Sequence, residues 1–152
     1  MRAEGKDCAV EDDTIKLLRE CNAGIKMGVT SLGDVIEHVK DERLRALLEE
    51  SKSTHEKLGD KTHSYLIKYN DEGKEPNPMA KMMSWVKTNF KLGDEESDRV
   101  VADLITDGCN MGVKSLYRYL HQYKAADEKI KELVGKVIDV EEKLVKEMRE
   151  YL

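Results

Sequence analysis

Residues 44–65 read LRALLEESKSTHEKLGDKTHSY, and residues 130–151 read IKELVGKVIDVEEKLVKEMREY. Taken in steps of three and four residues, each stretch gives a mostly apolar seam, as expected for one face of a packed helix. The two seams are Leu44, Leu48, Ser51, His55, Leu58, Thr62, Tyr65 and, 86 residues further on, Ile130, Val134, Val137, Glu141, Leu144, Met148, Tyr151. His55 and Glu141 interrupt the seams at the same step. Burying an ionisable side chain is costly unless it is paired or binds a metal, so these two residues are candidates for function.

The composition favours a single all-α domain. The chain has 152 residues, of which 38% are charged, 39% are hydrophobic and only 5% are aromatic, with two prolines. That length is enough for one core, and so few prolines leave long stretches free to be helical. We expect a domain at residues 13–152, preceded by a flexible tail at residues 1–12.

Charge and hydropathy exclude several classes of partner. The net charge is −5 with acidic and basic residues interleaved, which does not favour a nucleic-acid partner. No run of 18 apolar residues predicts a membrane span, and residues 1–13 lack the apolar stretch of a signal peptide. Three cysteines without close spacing favour reduced thiols, which predicts a cytoplasmic location.

Apolar periodicity and turn residues predict two helical hairpins and no strand. Asp12 and Asp13 are cap candidates for the first helix, and Asp41 for the second. A segment rich in proline, glycine and asparagine at 70–78 breaks the chain between the hairpins. The predicted helices are Asp13–His38, Glu42–Tyr69, a short one at Met79–Leu92, Glu95–Tyr123 and Glu128–Tyr151.

The two halves share more than the seams. The stretch CNAGIK at 21–26 matches CNMGVK at 109–114, at a separation of 88 residues, and His55-Glu56-Lys57-Leu58 matches Glu141-Glu142-Lys143-Leu144. We interpret these matches as an internal duplication. Each half also has two glycines four residues apart inside its first helix, Gly24 with Gly28 and Gly108 with Gly112. They are expected either where helices approach closely or beside a local bulge.

A duplicated helical hairpin with a long crossover resembles the ferritin-like superfamily, and is most similar to its small bacterial four-helix-bundle members of unknown function. In that superfamily each hairpin supplies a Glu and a Glu-x-x-His motif to a two-metal centre in the core. The resemblance puts His55 and Glu141 at the two Glu positions of those motifs, and Leu58 and Leu144 at the two His positions. It places the first-helix ligands near Asn22 and near Cys109 and Asn110. The resemblance therefore implies a degenerate metal centre, with His55 and Glu141 close together across the bundle.

Two interpretations of this core site remain open. In the first, His55 and Glu141 bind iron or zinc together with Cys21, Cys109 or Asn22. In the second, which we favour, they form a buried hydrogen bond that replaces the metal. Asn22 either completes a polar cluster with them or sets the register of the helix packing.

Cys21 and Cys109 occupy matching positions in the two halves. They are either a redox-active pair or, as we favour, small buried hydrophobic side chains. The short predicted helix is rich in large apolar residues, which we expect to cover the bundle or to form a homodimer interface. These residues are Met79, Met82, Met83, Trp85, Val86 and Phe90.

The sequence thus predicts a ferritin-like four-helix bundle with a degenerate metal site. It favours a non-enzymatic binding or stress-associated accessory protein. The alternatives are a metal-binding protein or di-iron-type oxidoreductase that uses His55 and Glu141, and a thiol redox sensor that uses Cys21 and Cys109.

Overall fold

A computed structural model describes residues 2–73 and 97–152 of the chain. These residues form four α-helices and no strand. The helices are α1 (Arg2–Ile36), α2 (Glu42–Lys68), α3 (Ser97–Gln122) and α4 (Glu128–Met148), and a short 3-10 turn (Arg149–Tyr151) follows α4. The predicted short helix at 79–92 lies outside the described residues, as do Met79, Met82, Met83, Trp85, Val86 and Phe90.

Side-chain caps mark the starts of α2 and α4. The carboxylate of Asp41 accepts a hydrogen bond from the backbone N–H of Leu44 at 2.8 Å, which confirms the predicted cap of α2. Asp127 accepts one from the N–H of Lys129 at 2.8 Å and caps α4 in the same way.

The predicted start of α1 near Asp13 is wrong, because the helix already begins at Arg2. Residues 2–12 contain helix-favouring Ala, Glu and Lys and no proline, so nothing stops the helix from extending. Asp12 and Asp13 therefore lie inside α1. There Asp12 pairs with Lys16, one turn further along, at 2.8 Å. The flexibility of residues 1–12 stays a prediction.

Contacts at the helix ends set the directions of the four helices. At one end, which we call the upper end, the backbone N–H groups of Lys40 and Asp41 donate to the Asp98 carboxylate, and Arg43 pairs with Glu150. The turn after α1, the start of α3 and the end of α4 therefore lie together.

At the opposite, lower end, the backbone N–H of Ala125 donates to Asp13 at 3.0 Å and that of Asp127 donates to Thr14 at 2.8 Å. The side chain of Arg19 pairs there with Asp71, just past the end of α2. Helices α1 and α4 thus run upward and α2 and α3 run downward. The end of α2 and the start of α3 lie at opposite ends of the bundle.

The apolar core consists of two clusters stacked along the bundle axis, and all four helices contribute to both. The upper cluster contains Leu32, Val35, Val39, Leu44, Leu48, Val101, Ala102, Leu104, Ile105, Cys109, Leu144 and Met148. The lower cluster contains Leu17, Leu18, Cys21, Ile25, Leu58, Leu66, Leu116, Ala126, Ile130, Leu133, Val134, Val137 and Ile138.

In each helix, one residue lies where the chain passes from one cluster to the other. These residues are Gly28 in α1, His55 in α2, Gly112 in α3 and Glu141 in α4. We call this set the central layer. It places the two ionisable residues singled out in the sequence at the same height in the bundle.

Candidate functional site

His55 is a buried residue of the central layer, with only 2% of its surface exposed. Its Nδ1 lies 2.8 Å from the backbone carbonyl oxygen of Ser51, one helical turn earlier. Because a carbonyl can only accept, Nδ1 carries the proton and Nε2 keeps its lone pair. Burial lowers the pKa of His55 more than this hydrogen bond raises it. The imidazole is therefore neutral at pH 7.

Glu141 lies at the corresponding step of α4 and faces a different environment. Its Oε2 is enclosed and has no hydrogen-bond partner within the described residues. Burial raises the pKa of the Glu141 carboxyl to about 8, because a charged carboxylate loses its hydration there. At pH 7 most molecules consequently hold a protonated acid at this position.

A glycine on the neighbouring helix makes room for each of these side chains. A Cβ added at Gly28 would lie 3.2 Å from Cδ2 of His55, and a Cβ added at Gly112 would lie 2.7 Å from both carboxylate oxygens of Glu141. Each ionisable side chain thus packs against the first helix of its own hairpin. In contrast, a Cβ added at Gly24 or Gly108 would meet no atom of residues 2–73 or 97–152 within 4 Å.

The predicted hydrogen bond between His55 and Glu141 is therefore not formed. The hydrogen bonds of the His55 ring go to Ser51, and Glu141 Oε2 has no partner among the residues that the structure describes. The physical reason is that Gly28 and Gly112 leave room for the two side chains. Each side chain therefore packs against the glycine of its own hairpin. The sequence drew attention to both glycine pairs but did not indicate which glycine of each pair would face an ionisable residue.

Asn22 belongs to a separate level of the bundle. Its Oδ1 accepts a hydrogen bond from the hydroxyl of Thr62 at 2.7 Å, and both residues are buried. Thr62 lies seven residues beyond His55 on α2, which is about 10 Å along the helix axis. No hydrogen bond in residues 2–73 and 97–152 joins Asn22 to His55 or Glu141, so the three do not form the predicted polar cluster. The enclosed Nδ2 of Asn22 has no partner there.

Cys21 and Cys109 lie on either side of the central layer, Cys21 in the lower cluster and Cys109 in the upper one. Both thiols are free. Burial, with a smaller contribution from the charge of Glu141, raises the pKa of each thiol to about 12. Such thiols stay protonated at neutral pH and are poor nucleophiles. Glu141 is thus electrostatically coupled to both cysteines.

The arrangement does not fit a two-metal centre. No group of three or more His, Cys, Asp or Glu side chains is placed to hold a metal ion within the described ranges. Leu58 and Leu144, at the two positions where the ferritin-like pattern has His, are buried in the apolar clusters. The predicted ligands His55, Glu141, Cys21 and Cys109 are therefore distributed around the central layer and not gathered at one point.

A second feature of the described surface was not singled out in the sequence. A groove of about 490 Å³ lies between α2 and α4, and four of its nine lining residues are lysines. The spacing of these lysines, seven residues apart on each of two helices, is visible in the sequence. It indicates a groove only once the two helices are known to be neighbours.

No family model, curated protein or solved structure matches this chain. Within the part of the chain that the structure describes, no helix combines the length and the apolar character needed to cross a membrane.

Proposed function

We propose that this chain is a ferritin-like four-helix bundle, built from a duplicated hairpin, whose metal centre has degenerated and which acts as a non-enzymatic binding or accessory protein. The observation that carries the proposal is that His55 and Glu141 are both neutral and do not contact each other through a hydrogen bond. Each instead packs against a glycine of its own hairpin. His55 is neutral because burial lowers its pKa, and Glu141 holds its proton because burial raises its pKa to about 8. Neither offers the negative charge that stabilises a cluster of metal ions.

The topology supports the ferritin-like part of the proposal. Helices α1 and α2 form one antiparallel hairpin and α3 and α4 form another, and the connection between the hairpins joins opposite ends of the bundle. Bundles with one long crossover have this connectivity. The predicted location in the cytoplasm and the homodimer interface on the crossover remain proposals.

Enzymatic activity receives little support from the described side chains. General acid–base catalysis needs a titrating group within reach of a substrate. His55 is buried against one glycine, Glu141 is half-buried against another, and the Cys21 and Cys109 thiols are protonated. A thiol-based sensor is disfavoured because it needs a thiolate, and these buried thiols keep their protons.

Metal binding is the second candidate, and one observation favours it. The enclosed Glu141 Oε2 has no partner among the residues that the structure describes, and an unsatisfied buried oxygen costs about 1–3 kcal/mol. A cation beside it would remove that cost. Only one carboxylate and one imidazole of the layer would be available, so a single weakly held ion is the most that this donor set favours.

Elemental analysis separates these two candidates. The protein would be purified without a tag, anaerobically and without chelator, beside His55→Ala, Glu141→Gln and the surface control Glu142→Gln. We expect no stoichiometric metal in any of the four. About one metal ion per chain in the wild type and in Glu142→Gln, lost in the other two variants, would overturn the proposal in favour of metal binding.

A further inference from the structure

The groove between α2 and α4 has a regular arrangement of charge. Lys61 and Lys68 lie on α2, and Lys129 and Lys136 lie on α4. Each pair is separated by seven residues, which is two helical turns and about 10 Å. Because α2 runs downward and α4 runs upward, Lys61 lies at the same end of the groove as Lys136, and Lys68 at the same end as Lys129. Each end of the groove thus has two ammonium groups.

These lysines are not neutralised by the surrounding residues. None of the four forms an ion pair with any residue in the described ranges, although Asp60 and Glu132 also line the groove. Other lysines of the same helices do pair, such as Lys131 with Glu128 at 3.1 Å and Lys143 with Glu147 at 3.8 Å. Four ammonium groups against two carboxylates leave a local positive charge on a chain whose net charge is −5.

Between its two ends the groove is lined by an aromatic and an apolar residue, Tyr65 and Leu133, and by Ser64 and Glu132. Leu133 is buried, with 6% of its surface exposed, and forms part of the lower cluster. The ring of Tyr65 lies beside it in the lining, and the ammonium of Lys68 sits 5.0 Å from the centre of that ring. Lysine ammonium groups bind phosphates as point charges, while an aromatic ring and a leucine side chain favour a flat or apolar group.

We propose that this groove binds a small organic polyanion that carries two separated anionic groups and an aromatic or apolar group. The volume of about 490 Å³ lies in the usual range for small-molecule sites. The two pairs of lysines hold the two anionic groups, and Tyr65 and Leu133 contact the aromatic or apolar group. This inference extends the proposed binding role and rests on it only in treating the chain as a binding protein. The central layer takes no part in it.

The test is a titration with three related probes. Adenosine 3′,5′-bisphosphate has two separated phosphates and an aromatic base, adenosine 5′-monophosphate has one phosphate, and adenosine has none. We expect calorimetry to give the tightest binding for the bisphosphate, at least tenfold weaker binding for the monophosphate, and none for adenosine. Binding of the bisphosphate should weaken as salt is raised, because exposed charges are screened.

Paired variants test the two ends separately. Lys61→Gln with Lys136→Gln removes one end, and Lys68→Gln with Lys129→Gln removes the other. Each double variant should weaken bisphosphate binding at least tenfold and leave it close to that of the monophosphate. The matched control is Lys114→Gln with Lys146→Gln, which removes the same charge from exposed positions outside the groove and should bind like the wild type.

Three results would overturn the inference. They are no binding of the bisphosphate at millimolar concentration, equal binding of all three probes, and an equal loss in the control variant. Circular dichroism on each variant would show that it is folded. A failure to bind the bisphosphate would not change the result of the elemental analysis. Metal found in that analysis would not change the binding at this groove. The two proposals can therefore be tested independently.

Discussion

Both hairpins place a glycine opposite an ionisable residue, but the two ionisable residues differ in their hydrogen bonding. In each, a glycine of the first helix makes room for an ionisable residue of the second, Gly28 for His55 and Gly112 for Glu141. The imidazole finds a partner in its own helix, because its Nδ1–H can donate to the carbonyl of Ser51. The Glu141 Oε2 has no partner among the described residues. A helix offers free acceptors at its carbonyls but no free donors in its interior, so an ionised carboxylate cannot be satisfied in this way.

The two residues therefore respond to pH in opposite directions. Burial keeps the histidine unprotonated and the glutamate protonated. Lowering the pH should destabilise the first hairpin by protonating His55, and raising the pH should destabilise the second by ionising Glu141. The pH dependence and the response to added side chains should therefore differ between the two hairpins.

The largest effect is expected for Glu141→Gln. The folded-state pKa of about 8 lies above the ordinary value of 4.5, so the stability that this group contributes is fully present below pH 4.5 and is lost as pH rises through 8. Relative to the variant, the wild type should lose on the order of 4 kcal/mol of unfolding free energy between pH 4.5 and pH 9. Urea unfolding at several pH values measures this, with Glu142→Gln as control. A difference between wild type and variant that stays constant with pH would contradict it.

Gly112→Ala should destabilise the protein by up to about 2 kcal/mol. The added Cβ would lie 2.7 Å from both oxygens of Glu141, and overpacking costs about 1–3 kcal/mol, of which helix propensity returns about 1 kcal/mol. In a Glu141→Ala background the same substitution should instead stabilise. Denaturant unfolding of the four members of this double-mutant cycle checks the sign change. Equal effects in both backgrounds would show that Gly112 is not needed to make room for the Glu141 side chain.

His55→Gln should remove a pH dependence of opposite sign. Because the folded-state pKa of His55 is lowered from 6.5 by burial, its contribution is present above pH 6.5 and is lost as the pH falls below that value. The wild type should lose stability relative to the variant on acidification, by less than the Glu141 effect. Unfolding curves at pH 7.5 and pH 5 measure this, with the exposed His63→Gln as control. Parallel curves would show that His55 titrates as in water.

The smallest effects are expected at the remaining glycines. Gly24→Ala and Gly108→Ala place a Cβ in open space and should each stabilise by about 0.5–1 kcal/mol through helix propensity. Gly28→Ala should be close to neutral, because its Cβ would lie 3.2 Å from His55. Melting temperatures of the three variants suffice. A loss of stability in Gly24→Ala or Gly108→Ala would mean that these positions pack against residues outside the described ranges.

The seams could be predicted from the sequence because they depend only on helical periodicity. In α2 the positions predicted from Leu44 to Thr62 are all buried, and in α4 those from Ile130 to Met148 are buried apart from Glu141, whose side chain is half-buried. The start of α1 could not be placed, because the preference of aspartate for the cap position is small enough that a helix continues through it when no breaker precedes it.

The contacts inside the central layer could not be predicted, because they depend on helix rotation and on side-chain rotamers. The repeat register aligns Gly112 with Gly24, at a separation of 88 residues, yet the glycine that faces His55 is Gly28. The resemblance to the ferritin-like superfamily placed His55 next to Glu141, whereas each of the two side chains packs against the first helix of its own hairpin. The groove was missed because its lysines come from helices far apart in the chain.

Each hairpin also completes the turn of the other. The turn after α1 gives two backbone N–H groups to Asp98 of α3, and the turn after α3 gives two to Asp13 and Thr14 of α1. Neither half has all the acceptors that its own turn requires. A chain cut between residues 73 and 97 would consequently behave as a split protein whose two pieces recognise each other, each ordering its turn only when its complement is bound.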